Sequence, residues 1–258
     1  MILRIFAISL NTFRESLRSK VLYALLFFAV LLVLITALFG SVTIGDQVKV
    51  IKDFGLFSIC LFAVAYAVIA GATLLSKELS RKTIYNILAK PVRRAEFLCG
   101  KYFGLMAVTW LMILLMALGL SAFCWLLEGR LDLTLLPAYS FIALQLLIVC
   151  ALTIFFSSLV VTPMLSGAFS LGVFLGGRSS QHLLYFIDNG DLSGGAAKAL
   201  KTIYYALPHF DLLDVSNSAV YGVSPSLENL LWSLAYSIGY AGVLLVLAAF
   251  IFKNREFN

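Results

Sequence analysis

The feature that most constrains this 258-residue chain is the absence of charge from long stretches of it. Residues 21–45, 54–76, 102–127, 133–177 and 229–252 contain no Asp, Glu, Lys or Arg. A hydrocarbon core of roughly 30 Å is crossed by about 20 apolar helical residues at 1.5 Å each. The fourth run spans 45 residues and holds two crossings, with Ser157-Ser158 and Thr162-Pro163 marking the turn between them. Six spans are expected, in an all-α polytopic membrane protein with one domain over residues 1–258. Composition agrees: 62% of residues are apolar and 12% charged, about half the charge of a soluble protein.

Six spans put both termini on one side, and the Lys/Arg bias of short loops says which. Residues 1–20, the loop at 77–101 and the tail hold thirteen of the nineteen basic residues and four of the thirteen carboxylates. The opposite side holds six basic residues and nine carboxylates, so the split is +9 against −3. Both termini and the 77–101 loop are expected to be cytoplasmic. The positive excess then follows from topology and contact with anionic lipid, and gives no reason to invoke nucleic acid.

In the first twenty residues, Leu3, Phe6, Leu10, Phe13 and Leu17 recur at steps of three and four, with Arg4, Asn11, Arg14, Glu15 and Arg18 largely off that face. The segment lacks the continuous apolar stretch and small-residue cleavage site of a signal peptide. It reads as an amphipathic helix in the cytoplasmic interface, turning at Ser19-Lys20 into the first span. A simple extension of that span is the alternative.

An ionisable group at mid-bilayer costs about 2.5–3.5 kcal/mol on insertion scales and is usually kept for function. None of the six expected spans contains one, which argues against an ion-coupled carrier. The chain has no GxxxxGK[ST] loop for nucleotide phosphates, so any ATP-derived energy comes from another subunit. His182 and His209 fall outside the spans and no HExxH occurs, so a membrane enzyme is poorly supported and no metal site is expected. Cys60, Cys99, Cys124 and Cys150 are scattered, without metal-ligand or disulfide spacing. Ser166, Gly167, Ser170, Gly172, Gly176 and Gly177 read as residues for close helix approach in lipid.

The 77–101 loop opens with charge, continues as a short helix presenting Ile84, Ile87 and Leu88, and breaks at Pro91. A second short helix from Arg93 through Phe97 leads into the third span. An apolar stripe between basic residues suits a groove on a partner, with arginines pairing to carboxylates around it. Anchoring to lipid phosphates is the alternative.

This loop resembles that of the ABC-2-type permeases, the transmembrane subunits of a large class of ABC exporters. Glu78, Thr83, Leu88, Pro91, Arg94, Glu96, Gly100 and Lys101 match at the expected spacing, while Lys82 stands where the family has glycine. The resemblance implies an N-terminal elbow helix (1–20) and a cytoplasmic coupling helix (77–101) seated on a separate ATPase subunit. It further implies two ATPase copies, a second permease copy as a homodimer partner, and a prokaryotic inner-membrane location. ATP and Mg would bind the ATPase, leaving this chain without a cofactor. Within the loop, Thr83, Ile84, Tyr85, Ile87 and Leu88 would form the docking face, Arg81, Arg93 and Arg94 would pair with ATPase carboxylates, and Glu78 would link the loop to the elbow helix.

The outer region, residues 178–228, is too long for an ordinary turn. By the same resemblance it forms short extracellular or re-entrant helices capping the pathway, with Pro208, His209, Phe210 and Asp211 as a gate, His209 standing in place of asparagine. It leaves room for an extracytoplasmic accessory protein. A membrane scaffold that recruits a partner, and an ATP-independent channel or carrier, are the competing readings. The Phe- and Leu-rich spans suit an amphiphilic cargo and equally a dimer seam.

Overall fold

The computed structural model describes residues 2–40, 47–80, 93–129, 132–180, 195–221 and 225–254. Of these, 91% are helical and none lies in a strand. The helices are α1 (Ile2–Leu17), α2 (Lys20–Gly40), α3 (Gln47–Ser80), α4 (Arg94–Glu128), α5 (Leu135–Leu159), α6 (Pro163–Arg178), α7 (Gly195–Ala206), α8 (Ser216–Val220) and α9 (Leu227–Asn254), with a 3-10 turn at Phe210–Leu213.

Among the described residues, four helices are long and apolar enough to cross a membrane: Gln47–Glu78, Arg94–Glu128, Leu135–Leu159 and Leu227–Lys253. A fifth is added if α1 and α2, bent by 59° at Arg18-Ser19, count as one broken span. Against the six expected, α6 is the short one: sixteen residues reach about 24 Å. The turn between α5 and α6 falls where the sequence places it, and Pro163 occupies the first turn of α6, where a missing N–H costs nothing.

The helices extend past the uncharged runs. α3 begins at Gln47, seven residues before the run at Phe54, and takes Lys52 into the helix. The expected separate helix from Arg93 through Phe97 is instead the first turn of α4, which continues unbroken to Glu128. The Arg93 backbone N–H donates to Glu96 (3.2 Å) at its start, half of a capping box.

α5 is the hub, packed against α3, α4, α6 and α9. Along it, Leu146, Ile148, Val149, Cys150, Ala151 and Ile154 are fully enclosed, so it is buried nearly all round. α9 keeps only a narrow buried stripe, Ser237, Ala241, Leu244, Ala248 and Phe252.

α1 lies on the first turns of α4 through Gly100 and Gly104. A Cβ at Gly100 would meet Ile8 Cβ at 2.7 Å, and one at Gly104 would meet Thr12 Cβ at 2.6 Å and the Ser9 carbonyl at 2.8 Å. The face α1 buries is therefore Ile8, Ser9, Thr12 and Ser16, while Leu3, Phe6 and Leu10 stay exposed. The apolar stripe read from the sequence thus divides: Phe13 and Leu17 turn partly inward, and the N-terminal half points away from the protein.

Candidate functional site

Chain order makes α3, α4, α5, α6 and α9 alternate in direction, so their ends sort into two levels. Glu78, Arg94, Lys101 and Lys253 mark one level; Lys52, Glu128, Asp132 and Glu228 mark the other. At the second level Lys52, 6% exposed, donates to Glu128 (2.9 Å) and Asp132 (2.6 Å). Burial opposes ionisation of Asp132, yet hydrogen bonds from Lys52 and Thr134 and the lysine charge outweigh it and hold its carboxyl down at about 2. Stability from this group is fully present above the ordinary carboxylate range near pH 4, and is lost as pH falls through about 2. Melting curves of wild type and Asp132→Asn are expected to converge at pH 2 and separate above pH 4.

Between the two levels sits an inserted segment. α7 ends at Ala206, whose carbonyl accepts from the Tyr240 hydroxyl (2.9 Å). The chain turns through Leu207, Pro208 and His209; the His209 N–H donates to the Tyr236 hydroxyl (2.9 Å), and its ring meets Tyr204 edge-on at 4.6 Å. Phe210, wholly buried, packs on Phe174 with ring centroids 5.0 Å apart. Asp211 accepts from Ser180 (2.9 Å), and the Leu213 carbonyl accepts from Gln145 Nε2 (2.9 Å). Gln145 Oε1 in turn accepts from the Cys60 thiol (3.4 Å). The chain then runs through α8, where the Ala219 carbonyl accepts from Thr134 (3.4 Å) beside Asp132.

Helix register gives the depth of this hairpin. Gln145 lies eleven residues beyond Thr134, and Tyr236 and Tyr240 lie eight and twelve beyond Glu228. At 1.5 Å per residue the turn is about 12–18 Å along the helix axes from the second level. The bonds from Gln145, Tyr236 and Tyr240 satisfy backbone groups of this non-helical turn that no helix or strand ladder satisfies.

α6 meets the hairpin from the opposite side. Gly177 lies against it so closely that a Cβ there would fall 2.1 Å from the Pro208 carbonyl oxygen and 2.9 Å from the Phe210 ring. Arg178 pairs with Asp214 (2.5 Å) and reaches the Cys60 sulfur (3.7 Å). Gly177 therefore admits the hairpin rather than another helix, and nothing lies within 4 Å of a Cβ at Gly172; only Gly167 meets a neighbouring helix, through Val68 and Ala72. Pro208, His209, Phe210 and Asp211, expected together, form this turn. Gln145, Arg178, Asp214, Tyr236 and Tyr240 were not foreseen as partners. The Tyr236–Tyr240 spacing, one helical turn on α9, was the available signal.

At the first level, Glu78 pairs with Lys101 (2.5 Å), which is 2% exposed and sits over the Phe97 ring (5.6 Å). Arg94, read above as a partner for ATPase carboxylates, gives its Nη1 to the Phe252 and Lys253 carbonyls (2.9 and 2.8 Å) at the end of α9. Arg81, Lys82, Thr83, Ile84, Tyr85, Ile87, Leu88 and Pro91 lie outside the described residues.

The architecture defines a class: an all-helical, multi-pass membrane protein with a bent N-terminal helix pair and a non-helical turn packed between α6 and α9. The family model described as "ABC-2 family transporter protein" matches residues 6–257, and the chain belongs to that family. It is a transmembrane permease component of an ABC transporter, the part that partners an ABC ATPase rather than the ATPase itself. No curated protein matches the chain.

Proposed function

We propose that the chain is the permease subunit of an ATP-driven exporter in a prokaryotic inner membrane, working as a homodimer on two ATPase subunits. In this reading α2 and α6 complete six spans, the termini and residues 77–101 are cytoplasmic, and α1 is the elbow helix. Thr83, Ile84, Tyr85, Ile87 and Leu88 dock into the ATPase, with Arg81 and Arg93 against its carboxylates. Pro208, His209, Phe210 and Asp211 form the extracytoplasmic gate.

The observation that supports this most is the hairpin held near mid-depth by side chains from α5, α6 and α9. A segment held by three separate helices, its backbone by α5 and α9 and its Asp214 side chain by α6, is released when they move relative to one another, which suits a gate driven from elsewhere. Uncharged spans with an export gate suit a cargo with a large apolar part.

Replacing Ile84 and Leu88 together with Asp places two charges in an apolar contact, and is expected to abolish copurification of the ATPase while leaving membrane insertion intact. A variant that retains a stoichiometric ATPase rejects the docking face. A complex that transports without any ATPase identifies a channel.

A further inference from the structure

Both ends of the 81–92 segment are tied to one small cluster at the base of the bundle. Glu78, just before it, pairs with Lys101, and Lys101 covers the Phe97 ring. Arg94, just after it, caps the C-terminus of α9 through two carbonyls, where a cation also complements the helix dipole. Phe97 stacks on Phe252 of α9, with ring centroids 6.3 Å apart and planes within 19°. Both rings are buried, at 2% and 1% exposure.

α9 then continues without a break from Phe252 to Tyr240 and Tyr236, about 18–24 Å away along the axis. Those two tyrosines hold the Ala206 carbonyl and the His209 N–H of the hairpin. One rigid helix is thus gripped at its foot by the base of the loop and grips the hairpin at its middle. The grip on the loop side joins α9 to the start of α4, which sequence places on opposite sides of the fourth and fifth spans.

We infer that Arg94 and the Phe97–Phe252 stack form a mechanical joint through which displacement of the cytoplasmic loop moves α9, and through Tyr236 and Tyr240 the hairpin. This rests on the reading of residues 77–101 as the ATPase-coupling loop. Arg94 is a positioning residue: it fixes the foot of α9 and touches no cargo. A shift of the α4 start carries the α9 end with it, because the guanidinium holds two carbonyls at once and the stacked rings fill the space between the helices. Lys101 and Glu78 keep the two ends of the loop moving as one body.

The test uses the intact permease with its copurifying ATPase in lipid nanodiscs. Amide hydrogen exchange across residues 206–214 is measured with and without a non-hydrolysable ATP analogue. In wild type the analogue is expected to change exchange there by about tenfold, which corresponds to about 1.4 kcal/mol. In Arg94→Met the ATPase remains associated and exchange without nucleotide matches wild type, while the nucleotide response falls below about twofold; Arg94→Lys restores part of it. Phe252→Leu, which keeps the carbonyls and removes the stack, is expected to weaken the response in the same direction.

A full nucleotide response in both Arg94→Met and Phe252→Leu overturns the joint and leaves the coupling loop standing. Faster hairpin exchange without nucleotide in Arg94→Met makes the arginine a stabilising cap alone, and also overturns it. Absence of any ATPase from wild-type complexes overturns the loop reading, and the joint with it.

Discussion

Lys52→Met is expected to be the most damaging single substitution at the Glu128–Asp132 end of the bundle, costing about 3–5 kcal/mol and lowering the melting temperature in detergent sharply. The lysine amine lies between Glu128 at the end of α4 and Asp132 before α5, with all three side chains largely enclosed. Removing it withdraws the cation that both carboxylates share and leaves two like charges facing each other in a largely enclosed site. The penalty is therefore not a measure of what the ion pairs contribute. The triple variant Lys52→Met, Glu128→Gln, Asp132→Asn removes the whole charge set and is expected to recover most of the loss. A triple variant as unstable as the single one would mean that the lysine's stem, and not its charge, is what α3 and α4 require.

The second large effect is expected at Gly177, where valine should dislodge the hairpin without unfolding the bundle. Its Cβ alone would stand 2.1 Å from the Pro208 oxygen, and that oxygen belongs to backbone fixed on both sides by Tyr236 and Tyr240. Neither side can yield by a rotamer change, so the 206–214 segment has to move outward as a unit, and Phe210 leaves its place against Phe174. Limited proteolysis or amide exchange confined to that segment reads the change, and helix content by circular dichroism should stay near wild type. Equal protection of residues 206–214 in Gly177→Val and wild type would show that the packing at Gly177 has slack. Gly172→Val is the matched control, since nothing lies near its Cβ.

Much of the fold was legible in the sequence because lipid enforces a simple rule: a stretch without charge that is long enough to cross becomes a helix. That rule locates α3, α4, α5 and α9, and the Thr162-Pro163 break between α5 and α6. It fails at helix ends. Lys52 is carried inside α3 because two carboxylates more than seventy residues away neutralise it, and a run of uncharged residues cannot report a partner so distant. The amphipathic start was visible by periodicity, but which of its faces meets protein was not. Glycines at positions 100 and 104 decide that, by making the cheapest approach one over Ser9 and Thr12. The residues of the turn, Pro208 to Asp211, were recognisable as a group only through family resemblance. Their depth depends on Gln145, Tyr236 and Tyr240, polar residues that in sequence look like ordinary punctuation in apolar helices.

The order in which these parts leave the ribosome gives the hairpin bonds a further meaning. Residues 195–214 are synthesised before α9, yet the Ala206 carbonyl and the His209 amide are satisfied by tyrosines within it. Until α9 is in place, neither backbone group has the tyrosine that holds it in the turn. Formation of α9 is therefore the step that seats the turn, and chains truncated before Tyr236 should accumulate with residues 206–214 unseated and open to proteolysis.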